Sequence, residues 1–209
     1  CGPDFVGQQL GFGLRPHEHA LADLDGDGDL DLALANRYPG TITTVFQEGG
    51  RFEADGSYPL VGNPGRIVAG DVDENGSVDL VVSLRSGTLL PSVALLLNQG
   101  GGVFAAPVEI ATGPDTWPVW PSSFVLVDFD GDGDRDLAAA CVSFQFTIMG
   151  DVLQDTAVAL LQNLGSGTFG APVLTPLGPP DTTPGEFLED SVLVADDLDG
   201  DGDADLALT

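Results

Sequence analysis

Four nine-residue stretches place oxygen-bearing side chains at every alternate position. They read DLDGDGDLD from Asp23, DVDENGSVD from Asp71, DFDGDGDRD from Asp128 and DLDGDGDAD from Asp197. The oxygen carriers are Asp23, Asp25, Asp27, Asp29 and Asp31 in the first stretch, and Asp71, Asp73, Asn75, Ser77 and Asp79 in the second. The third has Asp128, Asp130, Asp132, Asp134 and Asp136, and the fourth Asp197, Asp199, Asp201, Asp203 and Asp205. Five like charges within nine residues repel unless a cation sits among them. The sixth position is glycine in every copy (Gly28, Gly76, Gly133, Gly202), which permits the sharp turn that wraps a chain around an ion. Hard oxygen donors, without a nearby histidine or cysteine set, favour Ca²⁺ over Zn²⁺, and a flexible loop favours it over Mg²⁺. The reading is up to four Ca²⁺ ions. A single such loop could be a solvated Asp-Gly turn, but four copies in one register argue for ligation. An EF-hand would need a glutamate at the twelfth position and flanking helices. That position holds Leu34, Val82, Ala139 and Leu208, so the loop closes on its ninth residue instead.

What must hold these loops is equally repetitive. Each follows a short apolar run (Ala20-Leu21-Ala22, Ile67-Val68-Ala69, Val125-Leu126-Val127, Leu193-Val194-Ala195) and precedes another, beginning at Leu32, Leu80, Leu137 and Leu206. Third runs span 42–46, 93–97 and 158–161, and after a glycine turn come Phe52, Phe104 and Phe169, heading the expected fourth segments. Short apolar runs bounded by Gly and Asp read as buried strands. Glycine (29) and proline (15) leave little room for long helices. Four short strands per repeat predict an all-β fold, a β-propeller of four-stranded blades.

At this point the unit resembles the FG-GAP/VCBS repeat family of integrin-like and bacterial secreted propellers; Phe169-Gly170-Ala171-Pro172 spells the motif. The resemblance implies calcium between the first two strands of each blade. Its ligands would come from positions one, three, five and nine, with a backbone carbonyl from position seven. The side chains of Asp29, Ser77, Asp134 and Asp203 should then matter less. The second loop departs at Asn75 and Ser77, which lowers its expected affinity. The chain is one repeat domain, 1–209, with blade units near 18–60, 65–111, 122–175 and an incomplete 190–209, after a leading outer strand within 1–17. That predicts an open arc of about three and a half blades.

Charge and composition limit the partners. A formal charge of −27 at pH 7 repels phosphate backbones and anionic lipid, so nucleic-acid binding is excluded. The longest apolar runs are strand-length, so direct membrane insertion is not expected. Cys1 and Cys141 form no disulfide framework; a Cys-Gly start could be a lipoprotein cleavage remnant. The only methionine is Met149, so the chain reads as processed or cut from something longer. No nucleophile elbow or phosphate loop is present in the sequence. His17 and His19 lack a third metal-like partner and read as a polar lead-in. Longer connections occur near 113–121, 144–155 and 177–190, and the propeller resemblance implies that they gather on the face opposite the acidic loops. Trp117 and Trp120 in the first, and Phe144 and Phe146 in the second, are the candidate ligand-binding aromatics; rings plugging gaps between blades are the competing reading. The expected function is a non-catalytic calcium-binding module of an extracellular or cell-surface protein, binding a protein or glycan ligand. A polysaccharide-active lyase or lectin on the same scaffold, and an ion-stiffened spacer, stand as alternatives.

Overall fold

A computed structural model describes residues 16–85, 92–113, 120–146, 152–177 and 192–208. Fourteen strands and no helix occur among them. The first blade holds β1 (Pro16–Ala22), β2 (Asp31–Asn36), β3 (Thr41–Glu48) and β4 (Arg51–Pro59). The second holds β5 (Asn63–Gly70), β6 (Asp79–Arg85), β7 (Ser92–Leu96) and β8 (Val108–Ala111). The third holds β9 (Trp120–Val127), β10 (Asp136–Phe146), β11 (Val152–Leu161) and β12 (Val173–Pro176). A two-stranded sheet, β13 (Leu193–Asp196) and β14 (Asp205–Leu208), completes the array. In each full sheet the strands lie in sequence order and pair antiparallel, so every acidic loop falls at the same end of its blade.

Side-chain alternation explains the continuous apolar runs. In β6, Leu80, Val82 and Leu84 face one core while Val81 faces the next; in β7, Ala94 and Leu96 oppose Val93 and Leu95 in the same way. A strand buried on both faces must be apolar at successive positions. The first core joins blades one and two, the second joins two and three, and a smaller one ties blade three to β13 and β14. Packing runs from β1 to β5, β5 to β9 and β9 to β13. The described strands thus form a propeller-like arc without a closed barrel.

The fourth strands differ from the sequence expectation. Phe52 lies within β4, but Phe104 and Phe169 sit at isolated bridges to Asn98 and Asn163. The regular fourth strand begins only after Pro107 or Pro172. Between Phe104 and Val108 the outer chain carries one residue more than its partner, and the same holds between Phe169 and Val173. In the first blade the register shifts at the equivalent place, beside Asp55. The shared feature is a β-bulge, and proline, having no N–H, is confined to such places in a sheet. The connection after Phe144 also differs. It was expected to leave the sheet, yet β10 and β11 stay paired out to Phe146 and Val152. The β-branched and aromatic residues there prolong the hairpin.

Candidate metal centres in the acidic loops

Each loop builds itself around its own carboxylates, with the same bonds repeated. The first-position carboxylate accepts the N–H of the sixth residue: Gly28 to Asp23 and Gly76 to Asp71, both at 3.0 Å, Gly133 to Asp128 at 3.0 Å, and Gly202 to Asp197 at 3.1 Å. The third-position carboxylate accepts the N–H of the fifth residue, as in Asp27 to Asp25 at 3.1 Å and Asp132 to Asp130 at 3.2 Å. The fifth accepts from the seventh, and Asn75 Oδ1 does so from Ser77 at 2.7 Å. All four sixth-position glycines have positive φ, from 86° to 101°. A side chain there would strain the turn.

These bonds aim the remaining oxygen lone pairs inward. Ligand atoms of Asp71, Asp73 and Asp79 lie within 4.8 Å of one another, as do those of Asp128, Asp130 and Asp136, and those of Asp197, Asp199 and Asp205. In the first loop the grouped residues are Asp23, Asp25 and Asp27. Calcium holds its oxygens at about 2.3–2.6 Å, so ligands across the ion are roughly 4.6–5.2 Å apart. The oxygen-only donor set and its span fit Ca²⁺. Asp29, Asp134 and Asp203 at position seven lie outside these groups, and so do the predicted ligands Asp31, Asp132 and Asp201.

The ninth-position carboxylate has a second task. Asp31, Asp79 and Asp136 are buried, and each accepts two backbone N–H groups. For Asp79 these come from Val72 at 2.8 Å and Asn98 at 2.6 Å. Asp31 takes Leu24 and Gln47, both at 2.8 Å, and Asp136 takes Phe129 at 2.9 Å and Asn163 at 2.7 Å. The residue thus fastens its loop to the third strand or the segment just after it, and Asp79 and Asp136 are also grouped with the first- and third-position carboxylates. Burial pushes the Asp79 carboxyl above the ordinary carboxylate range, against the pull of the bonds from Asn98 and Val72. Asp25 is also raised, by desolvation first and then by Asp31, Asp27 and Asp23 around it. A dication would reverse both shifts.

The second loop departs from its siblings at a place the sequence reading passed over. Position four is glycine elsewhere, with φ of 86°, 76° and 83° at Gly26, Gly131 and Gly200, and its N–H bonds the first carboxylate. Here it is Glu74, at φ 59°, and Asp71 Oδ1 has no hydrogen-bond partner. The Glu74 carboxyl reaches Asp134 in the neighbouring loop, and that contact holds its pKa above the usual value. Asn75 is committed differently from an aspartate: its Nδ2 donates to the Asn98 carbonyl at 2.8 Å. The missed residues are Asn98 and Asn163. Their signal was visible as an asparagine two residues before a turn glycine, in both Asn98-Gln99-Gly100 and Asn163-Leu164-Gly165.

The other candidates are spread out. Phe144 and Phe146 lie on β10, paired with Gln154 and Val152, and Trp120 opens β9 opposite Val142. Trp117 lies outside the described residues, as do residues 1–15 of the expected leading strand. His17 meets Arg37 through Nε2 and Nη2 at 3.2 Å on the surface, and no group of metal-holding residues among the described ones includes a histidine. Cys141 is buried and free, its thiol pushed up to about 12 by burial. No helix among the described residues is long and apolar enough to cross a membrane.

Residues 23–82 match the FG-GAP-like repeat family. No curated protein matches the chain. A solved structure of a mutant Tc holotoxin pore from Photorhabdus luminescens is similar over 91% of this chain, with a TM-score of 0.51 and 25% identity. The matched region is 8% of that chain, so the protein spans a small part of this neighbour's length.

Proposed function

We propose that this propeller-like chain, which matches the FG-GAP-like repeat family over residues 23–82, is a non-catalytic, calcium-stabilised binding module working outside the cytoplasm. One observation carries this reading: each of the four loops gathers three carboxylates within a calcium-sized span, from positions one, three and nine in three loops and from positions one, three and five in the first. Ions at all four would bring the formal charge from −27 to −19, which still favours solubility. Extracellular modules of this ligand type bind calcium at about 10⁻⁴–10⁻³ M, suited to external calcium levels. The resemblance to part of a toxin pore complex supports the extracellular setting.

The ligand is a protein or glycan taken on the face opposite the loops. Strand polarity puts the start of β9, with Trp120, and the far ends of β10 and β11 on that side. A rigid scaffold with recognition on its connecting segments is a common division of labour. A glycan and matrix-protein binding screen, run with calcium and with chelator, tests the reading. It predicts at least one ligand class bound in calcium and released by chelator. Turnover of a polysaccharide with the appearance of unsaturated ends would establish the lyase alternative instead.

A further inference from the structure

We propose that Asn98 and Asn163 are positioning residues that couple each cation loop to the next, so that successive loops take up calcium cooperatively. The inference rests on the calcium-binding reading above and deepens it.

Asn98 is fully buried and touches two loops at once. Its N–H donates to Asp79, the ninth residue of the second loop, at 2.6 Å. Its Nδ2 donates to the Val78 carbonyl of that loop at 3.0 Å and to the Leu24 carbonyl of the first loop at 2.7 Å. Leu24 in turn gives its N–H to Asp31, the ninth residue of the first loop, at 2.8 Å. A chain of hydrogen bonds carried through Asn98 and Leu24 therefore joins Asp79, in the second loop's cluster, to Asp31, the ninth residue of the first loop. Asn98 Oδ1 accepts the Gly100 N–H at 3.0 Å, which fixes the carboxamide's orientation.

Asn163 repeats the arrangement one blade on. It is also fully buried, and its N–H donates to Asp136 at 2.7 Å. Its Nδ2 donates to Arg135 O at 3.2 Å and to Val72 O at 2.8 Å, while Val72 N–H bonds Asp79 at 2.8 Å. The path thus runs Asp31, Leu24, Asn98, Asp79, Val72, Asn163, Asp136. Only a short carboxamide serves here, since it gives two donors to two carbonyls. Aspartate would oppose its charge to those oxygens, and alanine would leave buried carbonyls without donors.

The coupling follows from ordering. A cation that draws in Asp79 fixes Asn98, and Asn98 holds the second residue of the first loop in its folded place. The neighbour then binds to a loop already partly ordered, and rigidifying one site lowers the cost of filling the next. Coupled sites typically change each other's affinity by about 5–150-fold. Asp205 accepts Leu198 N–H, but no asparagine among the described residues reaches the fourth loop, which makes that loop an internal control.

Calcium titration of the full chain, followed by the NMR shifts of the Gly28, Gly76, Gly133 and Gly202 amides, reads each loop separately. Asp73→Ala should disable the second loop and weaken calcium binding at Gly28 and Gly133 by about fivefold or more, leaving Gly202 unchanged. In an Asn98→Ala background the same change should no longer affect Gly28, while Gly133 still responds through Asn163. A purely structural role for Asn98 would lower stability without cancelling that coupling. If Asn98→Ala does not fold, Asn98→Ser retains an acceptor for the Gly100 N–H, leaves at most one donor for the two carbonyls and adds no charge. Asp73→Ala leaving Gly28 and Gly133 untouched in the otherwise unaltered chain would overturn the coupling. Absence of calcium binding at every loop would instead overturn the underlying reading, and the coupling with it.

Discussion

Asp79→Asn separates the two tasks of a ninth-position carboxylate. In the folded chain both Asp79 oxygens accept buried backbone N–H groups, from Val72 at 2.8 Å and Asn98 at 2.6 Å. An amide keeps one acceptor and turns a second donor against the other N–H. A hydrogen bond to a charged group contributes about 1.5–3 kcal/mol, so that is the gross loss. With chelator present, the substitution also removes a buried charge beside Asp73, and the net loss should fall below this range. With calcium present, the loop additionally loses a ligand. A site filled at a hundredfold excess over Kd contributes about 2.7 kcal/mol, so the penalty should be larger by up to that amount. For a chain of this size that is roughly 5–11 °C of Tm. Thermal melts followed by circular dichroism, with saturating calcium and with chelator, give the comparison. Equal losses in both conditions would mean that Asp79 is a structural bracket only, and a smaller loss in calcium would refute the ligand assignment outright.

Other consequences are simpler to check. Gly133→Ala adds a Cβ that meets nothing within 4 Å, so only its φ of +101° opposes it, at about 1–2 kcal/mol; Gly102→Ala would also strike the Phe46 ring and should destabilise more in parallel denaturant melts. Cys141, buried with its thiol pushed up to about 12, should resist iodoacetamide at mildly alkaline pH in a Cys1→Ser background, and become alkylated once denaturant opens the core. Asp79 and Asp25 have raised pKa values, so the calcium-free fold holds protons that the unfolded chain has released. These groups should therefore make the chelated protein lose stability as pH rises from about 4 through their raised values. Bound calcium should reverse that trend; denaturant midpoints across this interval decide it.

Much of this arrangement was legible in the residues. The acidic loops announce themselves by composition and register, and the strands by apolar runs of one length. Two-sided burial made those runs continuous, as in Leu80 to Val82, so strand existence was clear although facing was not. The fourth strands were misplaced because a bulge is a register event: nothing local to Pro107 or Pro172 says that pairing resumes one residue late. Glu74 was passed over because a positive φ belongs to the backbone, and only superposing the four loops shows glutamate in a glycine position. Asn98 and Asn163 repeat visibly in the sequence, but their partners Leu24 and Val72 are 74 and 91 residues away. No spacing rule reaches that far.

Calcium in the acidic loops should hold the array together. Isothermal titration of the chelator-stripped chain with calcium, paired with melting curves of the same sample, tests it most directly. Binding is expected at up to four sites, with a Tm that climbs with calcium concentration, reflecting a gain of about 2.7 kcal/mol per filled site at a hundredfold excess over Kd. No binding heat at any temperature, together with a Tm indifferent to chelator, would contradict it.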